Sequence, residues 1–334
     1  MKATLSFTAL CLFAVPLFAA DPPDAAPAAH KVEKPINFVL VKPDPLVGDW
    51  QGAGGVVAQV YTSPKGNYQA NLFHAFDTDE QPIAVLAGTA TPDGVTFTGD
   101  GWTAAIEKSE FTGSKAGTSF DLQHILRTSP TLGQKPPPGA VVLFDGTNLD
   151  AWSKKAGKQW LTEDGPARWK LVDGAMEIVP GSDCIITHQK FGDCHLHVEF
   201  CNICQPAKSA VFLETRYEVN INESYGKLTG AQIGGLDNTS SAGEPKVHPA
   251  YPPLSWQTFD IDFHAPRFDS AGKVIQRPNM TVQLNGVTLY DHVDLDIPHG
   301  GAGRLGEAPT GPLMLQDHTT PLQYRNIWLV ETHG

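Results

Sequence analysis

The chain has 334 residues, a hydrophobic fraction of 41% and a formal charge of −12. This length suits one large or two ordinary domains, with ample apolar material for a packed core. The charge excludes a nucleic-acid partner, which would need clustered Lys and Arg, and equally an anionic membrane surface. Neutral and cationic ligands stay open.

Residues 1–20 read as a secretory signal. Lys2 is basic, and Leu5 to Phe18 is apolar but too short to span a bilayer. Cleavage is expected at Ala20 or near Ala28. Cys11 lies inside the apolar run, so it is not a lipid-modified cysteine. No later segment is long and apolar enough to insert in a membrane. The mature protein is expected in the periplasm or outside the cell. Residues 21–45, rich in Pro and Ala, read as an extended linker.

Residues 46–127 form a β-rich unit. Short alternating runs such as Val56 to Tyr61, Tyr68 to Phe73 and Val95 to Phe97 are separated by turn signals. Pro92-Asp93-Gly94 is one of these, since Pro fixes φ and Gly accepts positive φ. The spacing predicts an antiparallel meander. Its ionisable residues are scattered.

Residues 128–140, rich in Pro and Gly, link this unit to a second one over residues 141–332. There the sequence shows about a dozen strand candidates and no convincing helix. Asp173-Gly174 and Asn285-Gly286 each sit between two alternating runs and predict tight hairpins. Many antiparallel strands without helices point to a two-sheet sandwich or jelly roll.

The mature chain carries Cys184, Cys194, Cys201 and Cys204. Export permits disulfides, and three pairings are possible. Structural disulfides or buried thiols are the expectation. No helix follows Cys201-x-x-Cys204 and no second such pair exists, so neither a redox motif nor a zinc half-site has support.

Strand side chains alternate between faces. In His195 to Phe200 the alternation puts His195, His197 and Glu199 opposite Leu196, Val198 and Phe200. In Arg216 to Ile221 it puts Arg216, Glu218 and Asn220 opposite Tyr217, Val219 and Ile221. Each strand thus feeds a core with one face and offers ionisable groups with the other. In the same way Gln316 and His318 fall on one side and Asp317 on the other, where it orients the loop or caps a turn. Asp260, Asp262 and His264 share a face and have the residue types of a metal site, although a solvated strand is the commoner outcome. Trp256 suits either sugar stacking or core burial.

Several stretches together resemble one family. They are Leu143-Phe144-Asp145-Gly146-Thr147-Asn148-Leu149-Asp150-Ala151-Trp152, Trp169 with Asp173-Gly174, and Phe191-Gly192-Asp193 leading to Glu199-Phe200. Further on come Arg216-Tyr217-Glu218-Val219, Ala265-Pro266-Arg267-Phe268-Asp269, Gly311 to His318, and Tyr324-Arg325-Asn326-Ile327. In order and spacing these look like the 3-keto-disaccharide hydrolase domain, over roughly residues 140 to 331. The resemblance implies a concanavalin A-like jelly roll with its site on the concave sheet. It also implies action on glycosides already oxidised at carbon 3, with a separate sugar 3-oxidoreductase upstream. The chain departs from the family at Lys208-Ser209-Ala210, Asn220, Thr319 and the Gly230–Pro253 segment.

A ketone at carbon 3 acidifies the hydrogen at carbon 2. A base removes that proton, an enolate forms, and the substituent on carbon 1 leaves. Such a site needs a base, an acid and an electrophile for the enolate oxygen. On this reading Glu199, Glu218 and His318 are the catalytic candidates. Arg216, Gln316, Asn220, Trp256 and Arg325 are the substrate-binding ones, all converging on one cleft floor. A divalent metal ion is an alternative to Arg216 at the enolate. Two other readings stay open: a carbohydrate-binding module without catalysis, and an ordinary glycosidase using Glu199 and Glu218 as its carboxylate pair.

Overall fold

Alternating sequence, punctuated by residues that accept positive φ, builds an almost wholly β molecule. The computed structural model describes residues 36–63, 66–230, 232–236, 240, 242–296 and 301–332. The signal segment and residues 21–35 of the Pro/Ala-rich stretch lie outside these. Both expected hairpins form, with φ of 50° and 77° at Asp173 and Gly174 and of 53° and 79° at Asn285 and Gly286. Positive φ at both central residues gives the turn whose twist matches that of its flanking strands. The one helical element among the described residues is a 3₁₀ turn, Gly301–Leu305.

The N-terminal meander closes on itself. Eight strands from Gly48–Gln51 to Thr118–Ile125 pair in sequence order, and the first also pairs with the last, Trp50 opposite His124. Closure removes both exposed edges. Trp50, Leu72, Phe97, Ile106 and Phe111 fill the barrel.

The rest is a sandwich. A six-stranded sheet runs in the order Gln159–Pro166, Trp152–Ala156, Ile185–Phe191, Gly311–Leu315, Lys208–Leu213, Tyr217–Asn222. The facing sheet has eight strands, with Leu322–Glu331, Cys194–Asn202, Trp256–His264 and Asn279–Leu284 at its centre. Val198, Phe259, Ile261 and Leu329 of the larger sheet meet Val211, Val219, Ile221 and Leu315 of the smaller in one core. Each sheet therefore has a second, outward face.

Barrel and sandwich touch through specific bonds. Asn71 Nδ2 donates to Gly226 O at 2.8 Å, and Tyr225 Oη donates to Asp49 Oδ1 at 2.8 Å. Two stretches expected to be plain linkers take part in the fold. Val39–Leu40 pairs with Cys204–Gln205, and Ser129 to Gln134 lies on the outward face of the eight-stranded sheet.

The disulfide alternative does not hold: all four cysteines are free, buried thiols. They belong to different surroundings. Cys194 points into the sandwich core, while Cys184 packs on the outward face of the six-stranded sheet. Burial pushes the Cys184, Cys201 and Cys204 thiols up to about 12, so none is a ready nucleophile.

Candidate active site

The expected single cleft divides in two. Glu199, Trp256 and Arg325 stand on the outward face of the eight-stranded sheet, whereas Glu218, Asn220 and Gln316 stand on the outward face of the six-stranded sheet. The core lies between them, and stacked sheets are about 10 Å apart. Alternation told correctly which side of each strand leaves the core. It carried no information on which of two outward faces receives it. For the same reason Glu199 and Glu218 do not flank one sugar as a glycosidase pair.

Glu199 is enclosed by partners. Its Oε1 accepts the Gly133 N–H at 2.6 Å and Asn326 Nδ2 at 2.9 Å, and its Oε2 accepts Arg325 Nε at 2.6 Å. The Arg325 guanidinium also lies 4.0 Å over the Trp256 ring. Next to it His197 Nδ1 meets Asp260 Oδ1 at 2.6 Å, and its ring stacks on Trp328. Ser129 and Thr131 bond to Thr258 and Asp260, and Gln134 O accepts from Asn326 and Trp328. Burial works against ionisation of Glu199. The hydrogen bonds from His197, Asn326, Arg325 and Gly133 outweigh it and hold the carboxyl down to about 2. A carboxylate so held is a poor base at neutral pH. Here it fastens the Ser129–Gln134 strap.

Asp260, Asp262 and His264 do not gather round a shared point. Each pairs separately, Asp260 with His197, Asp262 with His195 and His264 with Asp193. Among the described residues no three His, Cys, Asp or Glu side chains group as metal ligands.

The other outward face has a different character. Strand register places Gln316, Ala210 and Asn220 side by side: Ala210 pairs with Asn220, and Gln316 N donates to Ala210 O at 3.0 Å. The row continues outward through Cys184, next to Ile185 opposite Leu315, to Lys155, whose N–H donates to Cys184 O. Two strand spacings put Gln316 and Asn220 about 10 Å apart at Cα, with only the Ala210 methyl between. Gln316 Oε1 and Asn220 Nδ2 are buried and have no hydrogen-bond partner. Unsatisfied buried polar groups are costly, and the pair flanking Ala210 leaves an acceptor and a donor open to a polar ligand.

The neighbouring row, Ile186, Met314, Phe212 and Glu218, closes one end of this face. Ile186, Phe212 and Met314 are buried there, with Trp160 packed against them. Glu218 is half-buried and on the same side as Asn220. The opposite end carries Lys208, paired with Asn222, and His318, three residues past the strand end at Leu315.

Three groups set the geometry of this face. Asp317 turns away from it, as expected, and ties two loops together: Oδ1 accepts Thr319 N–H at 2.8 Å and Oδ2 accepts Asp183 N–H at 3.1 Å. That fixes the chain on both sides of Gln316 and His318. Lys155, missed in the sequence reading, is buried; its ammonium stands 3.3 Å from Asp183 Oδ1 and 4.5 Å over the Trp160 ring. No motif surrounds it, and only register reveals it. Arg216 does not offer its charge to the row. Its Nε donates to Gly306 O at 2.8 Å and its Nη1 to Glu214 O at 3.1 Å, binding the hairpin turn to the 3₁₀ segment. Glu214 in that turn is fully buried with both carboxylate oxygens unbonded. Burial pushes its carboxyl up to about 8, against the pull of Arg216.

Gly234 and Gly235, in the Gly230–Pro253 segment, border the row. Gly234 N–H donates to Asn220 O at 2.7 Å, and Asn220 N–H donates to Gly235 O at 2.9 Å. Gly234 has φ of +85°, and a Cβ there would come within 2.2 Å of Leu289. The positive φ and the close approach favour glycine here.

The family model described as "3-keto-alpha-glucoside-1,2-lyase-like domain" matches residues 139–330, more than half of the 334 residues. Two solved structures of candidate glycosyl hydrolases from Parabacteroides distasonis ATCC 8503 are similar to the chain. One has 29% identity over 59% of this chain and 85% of that one, with a TM-score of 0.49. The other has 15% identity over 58% and 94%, with a TM-score of 0.42. None of the curated proteins matches the chain.

Proposed function

Because the chain belongs to the 3-keto-alpha-glucoside-1,2-lyase-like domain family, we propose that it is an exported enzyme cleaving glycosides oxidised at carbon 3. The reaction takes place on the outward face of the six-stranded sheet. The observation that carries this is the pair of unbonded buried amide atoms, Gln316 Oε1 and Asn220 Nδ2, flanking Ala210. An acceptor and a donor about two strand spacings apart match the hydroxyls of one sugar ring.

Glu218, on the same side of the strand as Asn220, takes the proton from carbon 2. The C2–H electron pair forms the C1–C2 double bond as the bond from carbon 1 to the leaving oxygen breaks. His318 gives that oxygen its proton. Charge gathers on the carbon-3 oxygen in the transition state, and the unbonded Asn220 Nδ2, two residues from Glu218 on the same face, is the donor that meets it; a fixed donor in a buried site is worth most there. The product is an enone, and later addition of water at carbon 1 makes the overall outcome a hydrolysis. Glu199, Trp256 and Arg325 hold the scaffold in this reading. An oxidoreductase acting at carbon 3 must supply the substrate.

The test is incubation with p-nitrophenyl 3-keto-α-glucoside, following nitrophenol release. Release that slows on deuteration at carbon 2, and is lost in Glu218→Gln, is the expected result. Release without a deuterium effect overturns elimination. Release that survives both Glu218→Gln and Gln316→Leu overturns the site.

A further inference from the structure

A groove between the barrel and the sandwich has no part in the reaction just described. It measures about 780 Å³ and is lined by Tyr61, Gln69 and Asn71 of the barrel together with Gln205, Glu223 and Lys227 of the sandwich. A second hollow of about 400 Å³ continues across the barrel past Asn67, Tyr68 and Thr89. The two share Ser63, Gly66 and Gln69, so they adjoin along the barrel.

The lining determines what fits. Among the described residues, the formal charges along both hollows are Glu223 and Lys227, and these pair with each other at 2.6 Å. Among the described residues, the lining therefore carries no unmatched charge. The carboxamides of Gln69 and Gln205 and the hydroxyl of Thr62 suit sugar hydroxyls, while Asn71 is buried and bonded to Gly226 O. Two tyrosine rings add flat, amphipathic surface. Gly226, at φ of +73°, lies directly against the Tyr61 ring: a Cβ there would sit 2.3 Å from Cδ1. The volume falls within the usual range for small-molecule sites, and two adjoining hollows suit a chain of rings better than a compact molecule.

Position completes the argument. Glu223 directly follows Asn222, the end of the strand that carries Glu218 and Asn220. The groove thus starts where the open end of the six-stranded face stops. We propose that it binds the remote units of a neutral oligosaccharide, holding a chain whose terminal unit reaches the sandwich. The positioning role rests on the reading of the six-stranded face; the binding does not.

Calorimetric titration of the whole protein with unoxidised maltohexaose, cellohexaose and laminarihexaose tests it. At least one should bind saturably. Affinity should fall at least tenfold in Val85→Trp, which fills the groove from a side chain that is 39% exposed. It should fall likewise in Tyr61→Ala. Thermal unfolding confirms that Val85→Trp, a surface change, remains folded. No saturable binding of any of the three, or binding unchanged in Val85→Trp, overturns the proposal. The titration contains no 3-keto sugar and needs no turnover. A protein that binds a hexasaccharide without cleaving a 3-keto glycoside keeps the groove and loses the reaction; the converse pattern does the opposite.

Discussion

Gly133 gives its backbone N–H to Glu199 Oε1 at 2.6 Å, joining a Pro- and Gly-rich connector to the centre of a β-sheet 66 residues further on. Glu199 answers four donors, and this makes it a point of attachment. Glu199→Gln should cost about 1.5 to 3 kcal/mol, the range for hydrogen bonds to a charged group, while kcat on a 3-keto glucoside stays within about threefold by the same assignment. Urea unfolding and steady-state rates on one preparation would check both. The sign with pH follows from the depressed carboxyl: its contribution is whole above the ordinary value of 4.5 and disappears as pH falls through about 2. Glu199→Gln should therefore flatten the acid limb of the stability curve below pH 4.5.

Glu214 behaves in the opposite sense. Its carboxyl is raised to about 8, so the folded state favours the protonated form. That advantage is whole below 4.5 and is lost as pH rises through 8. Glu214→Gln keeps the shape without the charge. It should raise stability at pH 8.5 by on the order of 3 kcal/mol and change little at pH 5. Thermal melts at the two pH values, compared between variant and parent, decide it.

Gln316 should show opposite effects on stability and activity. Its buried Oε1 lacks a partner in the free protein. Gln316→Leu removes that group, so stability should hold or rise by about 1 kcal/mol. The bond to the sugar is lost, and kcat/KM should fall about tenfold. A variant that is both less stable and fully active would show that Gln316 serves the fold alone.

Glu218→Gln should lower kcat by about 10² to 10⁴, the range for a general base. Steady-state kinetics on p-nitrophenyl 3-keto-α-glucoside check it: a rise in KM with kcat untouched would place Glu218 among the ground-state contacts instead.

Much of this architecture was written locally in the sequence. Asp173-Gly174 and Asn285-Gly286 announced their turns, and the alternation around Val198 and Val219 announced the core-facing sides. Asp317 was read as a loop organiser and is one. What pairing decides was not legible. Glu199 and Glu218 have near-identical local patterns, yet non-local register sends them to opposite faces. Lys155 sits in Trp152-Ser153-Lys154-Lys155, where nothing distinguishes it from a surface lysine. Closure of the barrel depends on Trp50 meeting His124, 74 positions away. The stretch from Ser129 to Gln134 has the composition of a spacer, and its attachment depends on side chains that lie far along the chain.

That attachment bears on what counts as the unit of inheritance. The stretch matched to the family begins at residue 139, but bonds to Thr258, Asp260 and Glu199 come from Ser129 to Gly133. A gene fragment cut at the sequence boundary would leave an ionised carboxylate and a histidine–aspartate couple open to water. Recombination that transplants the sandwich must therefore carry at least ten more codons upstream, and any exchange of barrels among relatives has to preserve that short tail as part of its recipient.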